Sequence, residues 1–135
     1  MIQPVIALIA WSMVMLVWLY ARRLPAVMRY MISEARPESG EAVRRLPPQA
    51  QWAADNYNNL MEQPTLFYAL CLTLYFSGLA NSDLEYFAWL YVGLRVLHSL
   101  IQATCNITII RFCLFIASSA VLGVLCILSV GLAFA

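Results

Sequence analysis

Charge is scarce in this chain of 135 residues. It has no lysine, one histidine, eight arginines and seven acidic residues, so charged residues make up 11% of the sequence and hydrophobic residues 63%. Soluble domains carry about 25% charged residues, and the mean hydropathy of +0.76 is far above their usual range. The composition therefore excludes an ordinary soluble domain and indicates an integral membrane protein.

Several sequence patterns are missing as well. The chain has no glycine-rich phosphate loop, no internal repeat and no basic face, so we expect no nucleic-acid partner. The four cysteines lie within or at the ends of apolar runs, without metal-ligand spacing or a disulfide framework. We interpret them as reduced apolar residues and expect no metal site. The alternating ten-residue segments of a membrane barrel are absent too.

Four runs are long enough to cross a hydrocarbon core of about 30 Å at about 1.5 Å per residue. Residues 1–21, 63–82 and 112–135 have no charged side chain, and residues 86–110 are interrupted only by one arginine and one histidine. The sequence predicts an all-α integral membrane protein, with one domain over residues 1–135 and four transmembrane helices in a bundle. The expected helices cover about 2–22, 52–80, 85–107 and 110–134, and a cytoplasmic loop covers about 33–50.

The distribution of arginine predicts the orientation. Six of the eight arginines lie between the first two helices, and Arg111 adjoins the third connection. The second connection has only Asp83 and Glu85 as charged residues. By the positive-inside rule, the first and third connections are cytoplasmic and both termini lie outside. We interpret the long first connection as a solvated loop whose arginines contact lipid headgroups, with a lid over a substrate as the alternative.

One face of the predicted third helix is polar. Its residues are spaced by four, three, four and four positions, which makes a single stripe at 3.6 residues per turn. Ionisable side chains at this depth cost about 2.5–3.5 kcal/mol each on insertion scales, so they seldom face lipid. The stripe consists of Tyr91, Arg95, His98, Gln102 and Asn106.

The predicted second helix has a stripe of the opposite sign, made of Asp55, Asn59 and Glu62. We expect the two stripes to face each other in the inner half of the bilayer. They predict a pocket that opens to the cytoplasm and takes a polar, anionic molecule, with apolar walls for a lipophilic second molecule from the membrane. The alternative is a buried ion pair between Glu62 and Arg95 that only joins the helices. Pro64 predicts a kink beside the cluster.

Three segments resemble a known family. "NNLMEQPTLFYALCL", "AWLYVGLRVLHSLI" and "RFCLF", in this order on four short helices, are similar to the MAPEG superfamily of membrane-associated proteins in eicosanoid and glutathione metabolism. The resemblance covers most of residues 50–125 and includes the signature of small bacterial members. It implies a homotrimer with glutathione bound between subunits. Together with the orientation predicted from the arginines, it leads us to expect a bacterial inner membrane protein with both termini periplasmic.

The resemblance also implies residue roles. An arginine matching Arg111 stabilises the glutathione thiolate and is the expected catalytic residue. This suits the chemistry, because a thiol with a pKa of about 8.5 is nucleophilic at neutral pH only beside a cation, and arginines bind carboxylates bidentately. The candidates for binding glutathione are Asn59, Glu62, Arg95, His98 and Gln102, with Asp55 and Tyr91 as further candidates.

Some positions depart from the family pattern. Asp55 stands where several members have arginine, and Gln102 where members have tyrosine or histidine. Phe112 and Phe115 replace hydroxyl side chains of the prostaglandin-forming synthases, which argues against that isomerase chemistry.

Two functions remain. The first is a glutathione-dependent membrane transferase or peroxidase that acts on hydrophobic electrophiles, with glutathione as cosubstrate and no metal. The second is a non-catalytic lipid-binding or accessory membrane protein on the same scaffold. The retained set of candidate residues favours the enzyme, whereas Asp55 and Gln102 favour the alternative.

Overall fold

The computed structural model describes residues 1–33 and 46–134. These residues contain no strand, and the prediction of an all-α fold is confirmed. The predicted loop over about 33–50 falls mainly on residues 34–45, which lie outside the described residues. The helices are α1 (Ile2–Ser33), α2 (Pro48–Glu62), α3 (Pro64–Phe76), α4 (Ser82–Ala103) and α5 (Thr108–Ala133).

Helix α1 continues well past the predicted end near residue 22. It runs through Arg22, Arg23 and Pro25 to Ser33. The sequence prediction ended the helix with the apolar run, but backbone hydrogen bonding in a helix does not depend on side-chain polarity. Pro25 removes one backbone hydrogen bond without ending the helix.

The predicted second helix is divided at Gln63. Helix α2 ends at Glu62 and α3 begins at Pro64, so the proline occupies the first helical position. Gln63 keeps helical backbone angles (φ −63°, ψ −38°). The division is therefore an interruption of the hydrogen-bond ladder at the position where the sequence placed a kink.

Helix α4 lies at the centre of the bundle, because it packs against α1, α2 and α5. Its first turn is capped by Asn81, whose side-chain oxygen accepts a hydrogen bond from the Leu84 amide at 2.9 Å. Its other end passes into a short connection to α5 that includes Asn106. With 22 residues, α4 separates its two connections by about 33 Å.

The protomer is apolar outside and partly polar inside. Phe76, Ile109 and Ile127 are 80, 76 and 72% exposed, whereas Arg95 and Gln102 are buried. This pattern suits a lipid environment, since soluble proteins rarely expose large contiguous apolar patches. Two helical stretches in the described ranges, α1 over Ile2–Arg29 and α5 over Thr108–Ala133, are long and apolar enough to cross a membrane by length and composition.

Candidate functional site

The polar stripe of α4 faces the interior of the protomer. Tyr91, Arg95, His98 and Gln102 are 0, 1, 4 and 0% exposed. They share one face as the sequence spacing predicted, and the contacts of α4 with its neighbours cover that face. Asn106, the fifth member of the predicted stripe, lies beyond the end of α4.

Arg95 is surrounded by neutral groups. Its Nε donates to the Tyr91 hydroxyl at 3.1 Å, and its Nη2 donates to the side-chain oxygen of Gln63. The guanidinium carbon lies 5.6 Å from the centre of the Tyr91 ring and 5.3 Å from that of Phe115. The remaining nitrogen, Nη1, is buried without a hydrogen-bond partner in the described part of the chain.

Arg95 has no carboxylate partner among the described residues. The salt bridge found in those residues joins the amino terminus to Glu85, in the first turn of α4, at 2.9 Å. A buried charge without a counter-ion costs several kcal/mol in real proteins. The cluster around Arg95 therefore has an excess of positive charge and of hydrogen-bond donors.

The acidic stripe of the second helix does not meet Arg95 within the protomer. Asp55 and Glu62 are exposed, so the expectation that the two stripes face each other holds only for Asn59, which contacts Gln102. The alternative of a Glu62–Arg95 ion pair is not found among the described residues. Asn56 and Gln63 each follow an acidic residue by one position and point about 100° further round the helix. These amides meet α4, because that is the side of the helix buried by packing.

Three amide side chains join the helices. Asn56 Nδ2 donates to Ser99 Oγ at 2.8 Å, and Asn59 Nδ2 donates to Gln102 Oε1 at 3.0 Å. Gln63 Nε2 donates to Ser119 Oγ of α5 at 2.7 Å. Two further buried atoms, Asn56 Oδ1 and Gln102 Nε2, have no partner in the ranges that the structure describes.

Sequence reasoning missed Asn56 and Gln63. Their spacing with Asn59, of three and four residues, is as regular as that of the acidic stripe, and this signal was present in the sequence. The sequence prediction instead followed the charges of Asp55 and Glu62, which lie on the adjacent face of the helix. Ser99 and Ser119 had no such signal, since serines are common in membrane helices.

Arg111 lies in the first turn of α5 and is half-buried. Its Nη1 donates to the side-chain oxygen of Asn106, while its Nε is buried and has no partner in the described residues. One turn further along α5, the Phe115 ring lies 6.2 Å from the His98 ring, measured between centroids. Helix α5 thus carries both Arg111 and Phe115, and the Phe115 ring lies beside Arg95 and His98.

Asp55 belongs to a different part of the surface. It lines a cleft of about 200 Å³ between α1 and α2, together with Arg23 and Asn58. The structure thus gathers Asn59, Tyr91, Arg95, His98 and Gln102 in one interior cluster. Asp55 and Glu62 lie outside that cluster.

A comparison with protein families identifies the chain. The model of the MAPEG family matches residues 1–131. The chain belongs to the MAPEG family. The match includes α1, which the three resembling segments leave out, and it confirms the resemblance drawn from them. Comparisons with curated proteins and with solved structures found no match.

MAPEG membership bears on the general role of the chain. It supports a membrane protein with a role related to glutathione or eicosanoid metabolism. Members of the family work with lipophilic substrates. The prediction of a membrane protein is confirmed at this level.

Proposed function

We propose that this MAPEG protein is a glutathione-dependent membrane transferase or peroxidase that acts on hydrophobic electrophiles. The observation that carries the proposal is the Arg95 guanidinium, which is buried, has no counter-ion among the described residues and keeps one N–H unpaired. A carboxylate of glutathione would supply the missing negative charge and accept that N–H.

The dimensions of the cluster suit a tripeptide. Arg95 and Gln102 are seven residues apart on α4, which corresponds to about 10 Å along the helix. An extended chain spans about 3.3–3.6 Å per residue, so a tripeptide is about as long. Gln102 Nε2 is a second unpaired buried donor, and His98 lies between the two on the same face. The Phe115 ring lies beside the cluster, with its centre 5.3 Å from the Arg95 guanidinium carbon.

The outward acidic residues fit a site completed by a second subunit. Glu62 is exposed on the surface of the protomer, where a charge in contact with lipid would be costly. In a homotrimer, Glu62 would face the subunit boundary and bind the ammonium group of glutathione there. The homotrimer, the bacterial inner membrane, the periplasmic termini and the cytoplasmic pocket are parts of this proposal.

Arg111 has the catalytic role in the proposal. In a transferase step, the thiolate sulfur attacks the electrophilic carbon, a C–S bond forms, and the leaving group departs with its electron pair. In a peroxidase step, the sulfur attacks a peroxide oxygen and releases an alcohol; a second glutathione converts the sulfenic acid to a disulfide and water. Either step needs the thiolate, and a cation favours it by about 1.4 kcal/mol for each unit by which the thiol pKa falls.

Replacement of Arg111 tests the assignment. In Arg111→Ala, we expect the ultraviolet absorbance of bound thiolate to disappear and turnover to fall about 10²–10³-fold, with glutathione binding little changed. Arg95→Ala should instead weaken binding about 10–100-fold, the loss expected for a charged hydrogen bond. The exposed Arg29 serves as a matched control, since Arg29→Ala removes a charge far from the cluster. Full thiolate signal and turnover in Arg111→Ala would refute the role of Arg111.

The second candidate function is a non-catalytic lipid-binding or accessory membrane protein. The burial of the cluster favours it, because Arg95 and Gln102 are 1 and 0% exposed. If the unmodified protein binds no glutathione in a thermal-shift titration with glutathione and S-hexylglutathione, this function replaces the enzyme.

A further inference from the structure

The connection between α4 and α5 contains a residue in an uncommon conformation. Asn106 has a φ of +50°, in the left-handed region that asparagine and glycine enter more readily than other residues. Its amide N–H donates to the Ile101 carbonyl in the last turn of α4 at 2.7 Å. The backbone of Asn106 is therefore tied to α4 while its side chain is directed elsewhere.

That side chain contacts the first turn of α5. The Asn106 amide oxygen accepts a hydrogen bond from Arg111 Nη1, so one residue links the end of α4 to the proposed catalytic arginine. The bond occupies Nη1, whereas Nε stays buried and unpaired within the described residues. A long arginine side chain has several rotamers in free exchange, and this contact selects among them.

The amide suits this task because it is neutral. A carboxylate at position 106 would hold Arg111 equally well but would offset its positive charge, and so would reduce its effect on a nearby thiolate. An amide restrains the guanidinium and leaves the charge uncompensated.

We propose that Asn106 is a positioning residue that fixes Arg111 through Nη1 and leaves Nε free to donate to the thiolate of bound glutathione. The catalytic part of this inference rests on the function proposed above, whereas the restraint on Arg111 can be measured without any thiol. Asn106 does not itself touch the reacting atoms.

Three substitutions of Asn106 separate its backbone, hydrogen-bonding and charge effects. Asn106→Gly tolerates the positive φ but removes the amide, Asn106→Asp keeps the hydrogen bond and adds a negative charge, and Asn106→Ala adds backbone strain. A control in the same connection is Thr104→Ala, which removes a hydroxyl whose partners among the described residues are the Leu100 carbonyl and the Cys105 sulfur. All proteins are purified in detergent and compared by thermal unfolding first.

The first readout is the pH titration of bound glutathione thiolate. We expect the apparent pKa of the bound thiol to rise in Asn106→Gly and to rise further in Asn106→Asp. Turnover should fall about 10–100-fold, with little change in the KM for glutathione. Thr104→Ala should titrate like the wild type. A merely structural role would lower thermal stability without this ordered shift of the titration, and that result would overturn the proposal.

The second readout is the rate at which phenylglyoxal modifies Arg111 in the absence of glutathione, followed by mass spectrometry. Modification should be faster in Asn106→Gly, where the side chain is released, and no faster than wild type in Asn106→Asp. An unchanged rate in Asn106→Gly would overturn the restraint. If the wild type shows no bound thiolate but the Gly variant reacts faster, the proposed function fails and the restraint on Arg111 stands.

Discussion

At the scale of single residues, the positive charge of the buried Arg95 is uncompensated because its hydrogen-bond partners among the described residues are neutral. Gln63 accepts a hydrogen bond from Arg95 and donates one to Ser119, so one amide connects α3, α4 and α5. Glutamate in its place would form a buried ion pair with Arg95 and neutralise it. Glutamine satisfies one side of the guanidinium and keeps its charge available for a ligand.

We predict opposite effects of two substitutions at Gln63. Gln63→Glu should keep or raise thermal stability while it weakens glutathione binding by about tenfold or more, because the ligand carboxylate no longer offsets an unpaired charge. Gln63→Met removes both hydrogen bonds at similar volume and should destabilise the fold by about 1–3 kcal/mol. Thermal unfolding and calorimetric titration measure the two effects. Wild-type affinity in Gln63→Glu would show that Arg95 does not bind the ligand carboxylate.

At the scale of helices, two helix ends lie next to residues of the site and one lies far from them. Pro64 interrupts the hydrogen-bond ladder directly after Gln63, and α5 begins three residues before Arg111. The start of α4 is fixed by Asn81, at the end of the helix opposite Gln102. Substitutions at the helix ends near the cluster should therefore change glutathione binding, whereas substitutions at the Asn81 end of α4 should change stability alone.

Asn81 provides the test of this distinction. Asn81→Ala removes the acceptor for the Leu84 amide and should cost about 1 kcal/mol of stability, the usual loss for a helix cap. Asn81→Asp keeps an acceptor and should be close to wild type. Both variants should bind glutathione with unchanged affinity, measured at a temperature where each is folded. A clear loss of affinity in Asn81→Ala would mean that this end of α4 is coupled to the cluster.

At the scale of the whole molecule, the mostly apolar surface of the chain carries two carboxylates on α2. Most of it is apolar, as lipid requires, yet Glu62 and Asp55 are exposed on α2 and form no salt bridge among the described residues. Asp55 lies in the cleft that Arg23 also lines. A subunit boundary along this side would remove both carboxylates from lipid and complete a site between two subunits. This is the physical argument for the proposed homotrimer.

Native mass spectrometry in mild detergent should therefore detect a trimer. Glu62→Gln, which keeps the size of the side chain and removes its charge, should preserve the trimer and weaken glutathione binding. A stable monomer or dimer of the wild type across several detergents would contradict the assembly and the role of Glu62 at a boundary.

The sequence by itself determines the class of the protein and the polar face of α4 that forms one side of the candidate site. Composition determines an apolar, helical membrane protein, because few charges can be placed in lipid. The stripe from Tyr91 to Gln102 was correctly predicted as a single face, since side-chain direction along a helix depends only on the number of residues between positions. Short motifs on these helices sufficed to indicate the family.

The partners of that stripe were decided only by the tertiary structure. Periodicity along the predicted second helix allows two faces, one with Asp55 and Glu62 and one with Asn56 and Gln63, about 100° apart. Spacing cannot choose between them, because both are equally regular. The choice is made by packing, which buries Ala50, Ala53 and Leu60 against neighbouring helices and turns the amides toward α4, where Asn56 meets Ser99 and Gln63 meets Arg95. Likewise, Arg111 meets Asn106 at a connection whose backbone adopts a positive φ, which no spacing along the chain encodes.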